Sequence, residues 1–149
     1  MPDRVRRGVS SELSAASYFV ERGCVVSMPV SGRGRYDLIV DDGDGLRRVQ
    51  VKTAYATALP AEHIAAYGDA DRLRYTVHCI VSGDIAGRGI ETRYNSGDFD
   101  LLAAVELDSR ALYVIPIGLL PPRPIYLYPK GHYRSPQSPE PRWERYRVR

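Results

Sequence analysis

Leu46-Arg47-Arg48-Val49-Gln50-Val51-Lys52-Thr53-Ala54 decides the reading of this chain, because its alternation sorts side chains onto two faces. In an extended strand Val49 and Val51 enter a core on one side, while Gln50 and Lys52 project together on the other. One strand thus offers an oxygen ligand and an ammonium to a single pocket. Upstream, Tyr36-Asp37-Leu38-Ile39-Val40 is a second apolar run, and the intervening Asp41-Asp42-Gly43-Asp44-Gly45 is rich in turn formers. The two runs read as a hairpin carrying Asp37, Gln50 and Lys52 to one place.

Toward the N-terminus, Ser10 or Ser11 is placed to cap a helix running to about Arg22, with Glu12 in its first turn, where the helix dipole favours a carboxylate. Leu13, Ala16, Phe19 and Val20 form its expected apolar stripe, and Gly23 its stop. Residues 24–28 read as a strand ended by Pro29, and Ser31-Gly32-Arg33-Gly34-Arg35 as a flexible basic loop. Downstream, residues 60–67 read as a short helix with Pro at its first turn, and residues 75–81 as a strand followed by a Gly-rich turn region over 82–89. Residues 99–105 and 111–117 flank Asp108-Ser109-Arg110 as a second hairpin, although Leu101-Leu102-Ala103-Ala104 also suits a helix. From Pro121 onward seven of the eleven prolines occur, so residues 121–149 are expected to form an extended, Pro-rich basic arm on a domain spanning 1–120.

A chain of 149 residues with 44% hydrophobic content and 26% charge is expected to be one globular domain around a single core. Its apolar runs stay short of the ~20 residues that cross a membrane, and residues 1–7 are charged without a following apolar stretch. A soluble, cytoplasmic protein without membrane partners is the expectation. Cys24 and Cys79 read as buried free thiols in strand-like runs. His78 and the adjacent Cys79 face opposite sides of a strand and cannot readily share a metal. With no CxxC, HxxxH, GxSxG or GxxxxGK[ST] pattern, zinc, serine-hydrolase and ATPase readings are poor. The net charge of +3 is uneven, with basic ends around an acidic middle. That distribution suits either a polyanion partner for the ends or simple solvation.

Helix-borne Glu12, strand-borne Asp37 and Gln50-x-Lys52 on the next strand, in that order, resemble the PD-(D/E)XK nuclease superfamily. The nearest likeness is to its intron-homing and Holliday-junction-resolvase-like branch. The similarity covers residues 8–54 and continues more loosely through Tyr94-Asn95-Ser96-Gly97-Asp98-Phe99-Asp100 and Leu112-Tyr113-Val114-Ile115-Pro116. It implies an α/β fold, with a mixed central sheet flanked by helices, and a DNA endonuclease of homing, restriction, repair or junction-resolving type. Gln50 departs from the Asp or Glu usual in the superfamily, although some homing-type members are similar in having Gln.

Phosphodiester hydrolysis calls for a nucleophilic water and stabilised negative charge, work that Mg²⁺ assists, with Mn²⁺ able to substitute. The resemblance implies catalytic roles for Glu12, Asp37, Gln50 and Lys52, with Glu12, Asp37, Gln50 and the Val51 carbonyl holding the metal and Lys52 orienting the attacking water. Two carboxylates instead of three imply weaker metal binding or a single ion. Arg33, Arg35, Arg47 and Arg48 would flank the site, as phosphate contacts or as solvated charge. A double-strand cut implies a homodimer or higher homo-oligomer on DNA. The rival reading is a catalytically inactive nuclease fold that only binds nucleic acid, and Gln50 is the feature that favours it.

Overall fold

The computed structural model describes residues 2–31, 34–67, 73–83, 90–128 and 142–149. Helix α1 spans Asp3–Glu21, beginning well before the expected Ser10 or Ser11. Pro2 occupies the N-cap position, and Asp3 in the first turn pairs with Arg6 at 2.6 Å and Arg7 at 2.8 Å. These i,i+3 and i,i+4 pairs support a first turn ahead of the two serines. Ser11 is instead a buried interior residue whose hydroxyl meets that of Thr53 at 2.8 Å. Glu12 therefore lies in the third turn, beyond the reach of the N-terminal dipole. At the other end Gly23, with φ +82°, closes the helix as expected: its N–H donates to Val20 and that of Cys24 to Phe19, the paired bonds of a Schellman cap.

The buried face of α1 is Ser11, Ala15, Tyr18 and Phe19. Of the expected stripe, Leu13 and Val20 are 57% and 58% exposed. At roughly 100° per residue these two lie on the side of α1 away from Ser11, Ala15 and Tyr18, so the expected stripe is rotated off the face that packs on the sheet.

Strands β1 (Val25–Ser27), β2 (Leu38–Asp41) and β3 (Leu46–Ala58) follow as an antiparallel meander. The β2–β3 hairpin forms as read: Asp41 and Asp42 accept hydrogen bonds from the N–H groups of residues 43–45, and Gly43 adopts φ +88°. After a short α2 (Ala61–Tyr67), the expected strand over 75–81 divides into β4 (Leu73–Val77) and β5 (Ile80–Gly83). β4 belongs to the main sheet, whereas β5 pairs with β6 (Ile90–Arg93) in a separate ribbon. β7 (Leu101–Glu106) and β8 (Leu112–Pro116) make the second hairpin. Leu102, Ala103 and Ala104 are fully buried in a strand covered on both faces, which explains why their continuous apolar run carries no period to distinguish strand from helix.

The stretch beyond Pro121 does not extend wholly away from the core. β9 (Ile125–Leu127) pairs with β4, Trp143 is fully buried, and Arg147 bridges to Tyr113. Residues 129–141 of the expected arm lie outside the described residues. Prolines at 121, 122 and 124 precede β9 rather than interrupting it, and β9 binds the sheet as a three-residue edge.

β3 is the axis of the mixed sheet. On one side it pairs in parallel with β7 from Val49↔Leu101 to Ala54↔Glu106. On the other, β2 covers it only from Leu46 to Val49, and β4 only from Tyr55 to Ala58. Residues 50–54 are left with an open edge, a notch between β2 and β4. One core lies between α1 and the sheet around Leu38, Val49, Val51 and Val105, and the other lies on the opposite face around Phe99, Tyr113, Ile115 and Trp143. Cys79 is buried and Cys24 half-buried, both as free thiols. Among the described residues, no helix is long and apolar enough to cross a membrane.

Candidate active site

The notch in the sheet gathers the predicted residues from three directions. Asp37 sits at the mouth of β2, where its N–H donates to Val49 at 2.9 Å. Its Oδ2 accepts the Val51 N–H at 2.7 Å and the Gln50 side-chain amide. Alternation along β3 turns the Val51 main chain into the notch and the Val51 side chain, 7% exposed, into the core beneath α1. Gln50 and Lys52 share the opposite face, as the alternation predicts. Glu12 reaches the notch from α1, so the site wraps around the open edge of β3 and takes groups from both faces.

The electrostatics are those of a half-buried, like-charged pair beside a cation. Burial raises the Asp37 carboxyl above the ordinary range, opposed by the Val51 N–H, Lys52 and Gln50. Burial and then the charge of Asp37 raise Glu12. Burial lowers Lys52, with Arg4 adding to the effect and Asp37 and Cys79 opposing it. Lys52 Nζ donates to the Ile80 carbonyl at 3.1 Å and lies 5.6 Å from the centre of the Tyr94 ring.

Raised carboxyls bind protons in the fold at pH values where the unfolded chain has released them. Stability from this pair is therefore expected to fall as pH rises from about 4 through the folded values. Glu12→Gln should flatten that fall in thermal melts between about pH 4 and 7. An unchanged pH slope would contradict the coupling.

The donors are all oxygens: two carboxylates, the Gln50 amide and the Val51 carbonyl. This hard set fits Mg²⁺, although the described residues hold no group of three or more His, Cys, Asp or Glu able to bind a metal. One feature opposes loading. The Gln50 amide nitrogen donates to Asp37 Oδ2 and, at 3.1 Å, to the Val51 carbonyl, two of the oxygens a cation would use. Offering Gln50 Oε1 instead requires the amide to turn over.

The notch opens into a groove of about 700 Å³ that continues along β3 to Thr57, Thr76 and His78, with Arg4, Arg7 and Gly8 of α1 on its other wall. His78 is exposed to the groove while Cys79 is buried, consistent with their opposite orientations. The arginines singled out by sequence are engaged elsewhere. Arg35 pairs with Asp98 at 3.3 Å, Arg47 with Asp42 at 3.8 Å and Arg48 with Asp100 at 3.4 Å, and none is among the groove-lining residues. Arg33 lies outside the described residues. Arg4 is not among the residues the sequence singles out, although Arg4, Gly8 and Glu12 recur at i, i+4 and i+8 on one line of α1 once the helix starts at Asp3. A second signal was the rarity of lysine: Lys52 and Lys130 are the chain's two lysines among 21 cations.

Glu12, Asp37 and Lys52 thus meet at the split edge of a mixed sheet. The profile of the PD-(D/E)XK endonuclease family matches residues 3–131, and the chain belongs to that family. Protein 5.3 of Escherichia phage T7 is 31% identical over 105 residues, covering 70% of this chain and 75% of that protein. The structure of a bacterial homing endonuclease, I-Ssp6803I, superposes with a TM-score of 0.74 at 21% identity, over 98% of this chain and 89% of that one. This likeness bears out the fold.

Proposed function

We propose that this protein is a Mg²⁺-dependent DNA endonuclease that hydrolyses phosphodiester bonds at the β3 notch, Mn²⁺ substituting for Mg²⁺. The observation carrying this reading is the convergence of Glu12, Asp37 and Lys52 on the stretch of the central strand that neither β2 nor β4 covers. The endonuclease activity named for the family supports a nucleic-acid substrate, taken here as DNA. Glu12, Asp37, Gln50 Oε1 and the Val51 carbonyl would hold the cation. When bound, it supplies positive charge against the negative charge that builds on the scissile phosphate.

The chain's own groups do the remaining work. The Val51 N–H fixes the Asp37 carboxylate, so the acceptor side of the site is set before substrate arrives. Lys52, on the neighbouring face, orients the attacking water and offsets charge on the phosphate. The groove holds the flanking strand, and Arg4 meets its backbone as a cation without a carboxylate partner among the described residues. Arg7 shares that wall while paired with Asp3. A double-strand cut or a junction cut then takes two copies of the chain.

Arg4→Ala is expected to weaken DNA binding and reduce the slope of log affinity against log salt by about 1, whereas Arg47→Ala leaves both nearly unchanged. Fluorescence anisotropy over a salt series checks this, and equal effects of the two changes would contradict it.

A second reading, a nuclease fold that binds DNA without cutting it, is favoured by the hydrogen bonds from Gln50 to Asp37 and Val51. Supercoiled plasmid and a four-way junction incubated with Mg²⁺ or with EDTA separate the two. Cutting only with Mg²⁺ supports the endonuclease; salt-sensitive binding without cutting supports the silent fold.

A further inference from the structure

We propose that Tyr94 is a positioning residue for Lys52, its ring face forming a cation–π seat that holds the ammonium at the notch. The inference rests on the assignment of Lys52 to the site. Four rotatable bonds separate the ammonium from β3, and the Ile80 carbonyl provides one hydrogen bond at 3.1 Å. One acceptor leaves the ammonium free to pivot. The Tyr94 ring, 5.6 Å from Nζ, is within the range at which a cation is drawn to an aromatic face.

That ring is itself fixed. It stands edge-to-face on the fully buried Phe99, with centroids 4.7 Å apart and planes at 83°. The turn that follows is tied by the Asn95 N–H to Asp98 at 2.8 Å, by the Asp98 N–H to the Asn95 carbonyl at 2.9 Å, and by Arg35 to Asp98. Arg35 thus acts on the site through Tyr94, rather than by touching substrate.

Asp37 is the carboxylate whose charge is felt at Lys52, and its Oδ2 is taken up by the Val51 N–H and the Gln50 amide. Burial pushes the Cys79 thiol up to about 11, keeping it neutral, and burial pushes the Tyr94 phenol up as well. The seat is therefore the ring face, which phenylalanine shares, and not a phenolate.

The test uses the full chain with Lys130→Arg, which leaves Lys52 as the sole lysine. With lysine labelled by ¹³C, the ε-CH₂ resonance of Lys52 should be shifted upfield by the ring current in the parent and in Tyr94→Phe, and return toward the free-lysine position in Tyr94→Leu. In parallel, kcat should stay within about 3-fold in Tyr94→Phe and fall about 3- to 30-fold in Tyr94→Leu, with KM unchanged. Tyr94→Met replaces Tyr94→Leu if the latter does not fold. An unchanged Lys52 resonance without the ring overturns the proposal, as does a loss in Tyr94→Phe equal to that in Tyr94→Leu. If none of the proteins cuts DNA, the resonance still decides the seat, and the failure falls on the endonuclease reading alone.

Discussion

Lys52→Ala is expected to slow strand cleavage by roughly 10²- to 10⁴-fold while leaving the protein folded. Among the described residues, Arg4 is the other cation whose charge is felt at Lys52, and it arrives from α1 rather than from β3. It is not placed to inherit the role. Lys52→Arg should not restore the rate: a guanidinium is planar, larger and permanently protonated, and it would have to fit where a compact ammonium meets the Ile80 carbonyl. Stability should move the other way from activity. Burial depresses the Lys52 pKa, so the folded protein bears a cost for carrying this charge, and Lys52→Met should melt at the same temperature or higher. Rates from single-turnover cleavage, with melts on the same preparations, check both halves. Near-normal cutting by Lys52→Ala would remove this residue from the site.

Gln50→Glu should produce the second large effect, on metal affinity. The Gln50 amide now occupies Asp37 Oδ2 and the Val51 carbonyl as a hydrogen-bond donor. A carboxylate cannot donate there, and it adds a negative charge to a notch where Glu12 and Asp37 already raise the cost of ionisation. Without metal, the substituted protein should be less stable than the parent by about 1–3 kcal/mol, the cost of leaving the Val51 carbonyl unpaired and crowding like charges. With Mg²⁺ the order should change, because a third carboxylate ligand is expected to tighten binding by roughly 10- to 100-fold. The observable is the rise in melting temperature on adding Mg²⁺, larger in Gln50→Glu than in the parent. An equal or smaller rise would show that Gln50 does not face the cation.

The parts of the fold that were legible in sequence are those governed by local rules. Asp41 through Gly45 specify a turn, Val49 and Val51 alternate with Gln50 and Lys52, and the hairpin and its shared pocket follow. Gly23 marks the helix end because the cap needs a left-handed residue. What stayed hidden depended on partners distant in sequence. The true start of α1 rests on Asp3 pairing with two arginines, and the misplaced start shifted Glu12 by two turns and concealed Arg4. Trp143 and β9 looked like parts of a proline-rich arm because burial against β4 and β8 leaves no periodic trace in so short a strand. For the arginines around β3 the sequence leaves phosphate contact and solvated charge open, because composition shows charge but not the aspartates that pair with Arg35, Arg47 and Arg48. The notch itself arises from where β2 stops and β4 begins, a property of strand register rather than of any residue.

The most direct measurement is the conversion of supercoiled plasmid to nicked or linear DNA by the wild-type protein and by Asp37→Asn, purified side by side and assayed in Mg²⁺. Asp37→Asn keeps an oxygen to accept the Val51 N–H but removes the charge, so the fold should persist. The wild-type protein should cut and Asp37→Asn should not, with both binding the DNA. Equal cutting by the two proteins would contradict the assignment of the β3 notch as the catalytic centre.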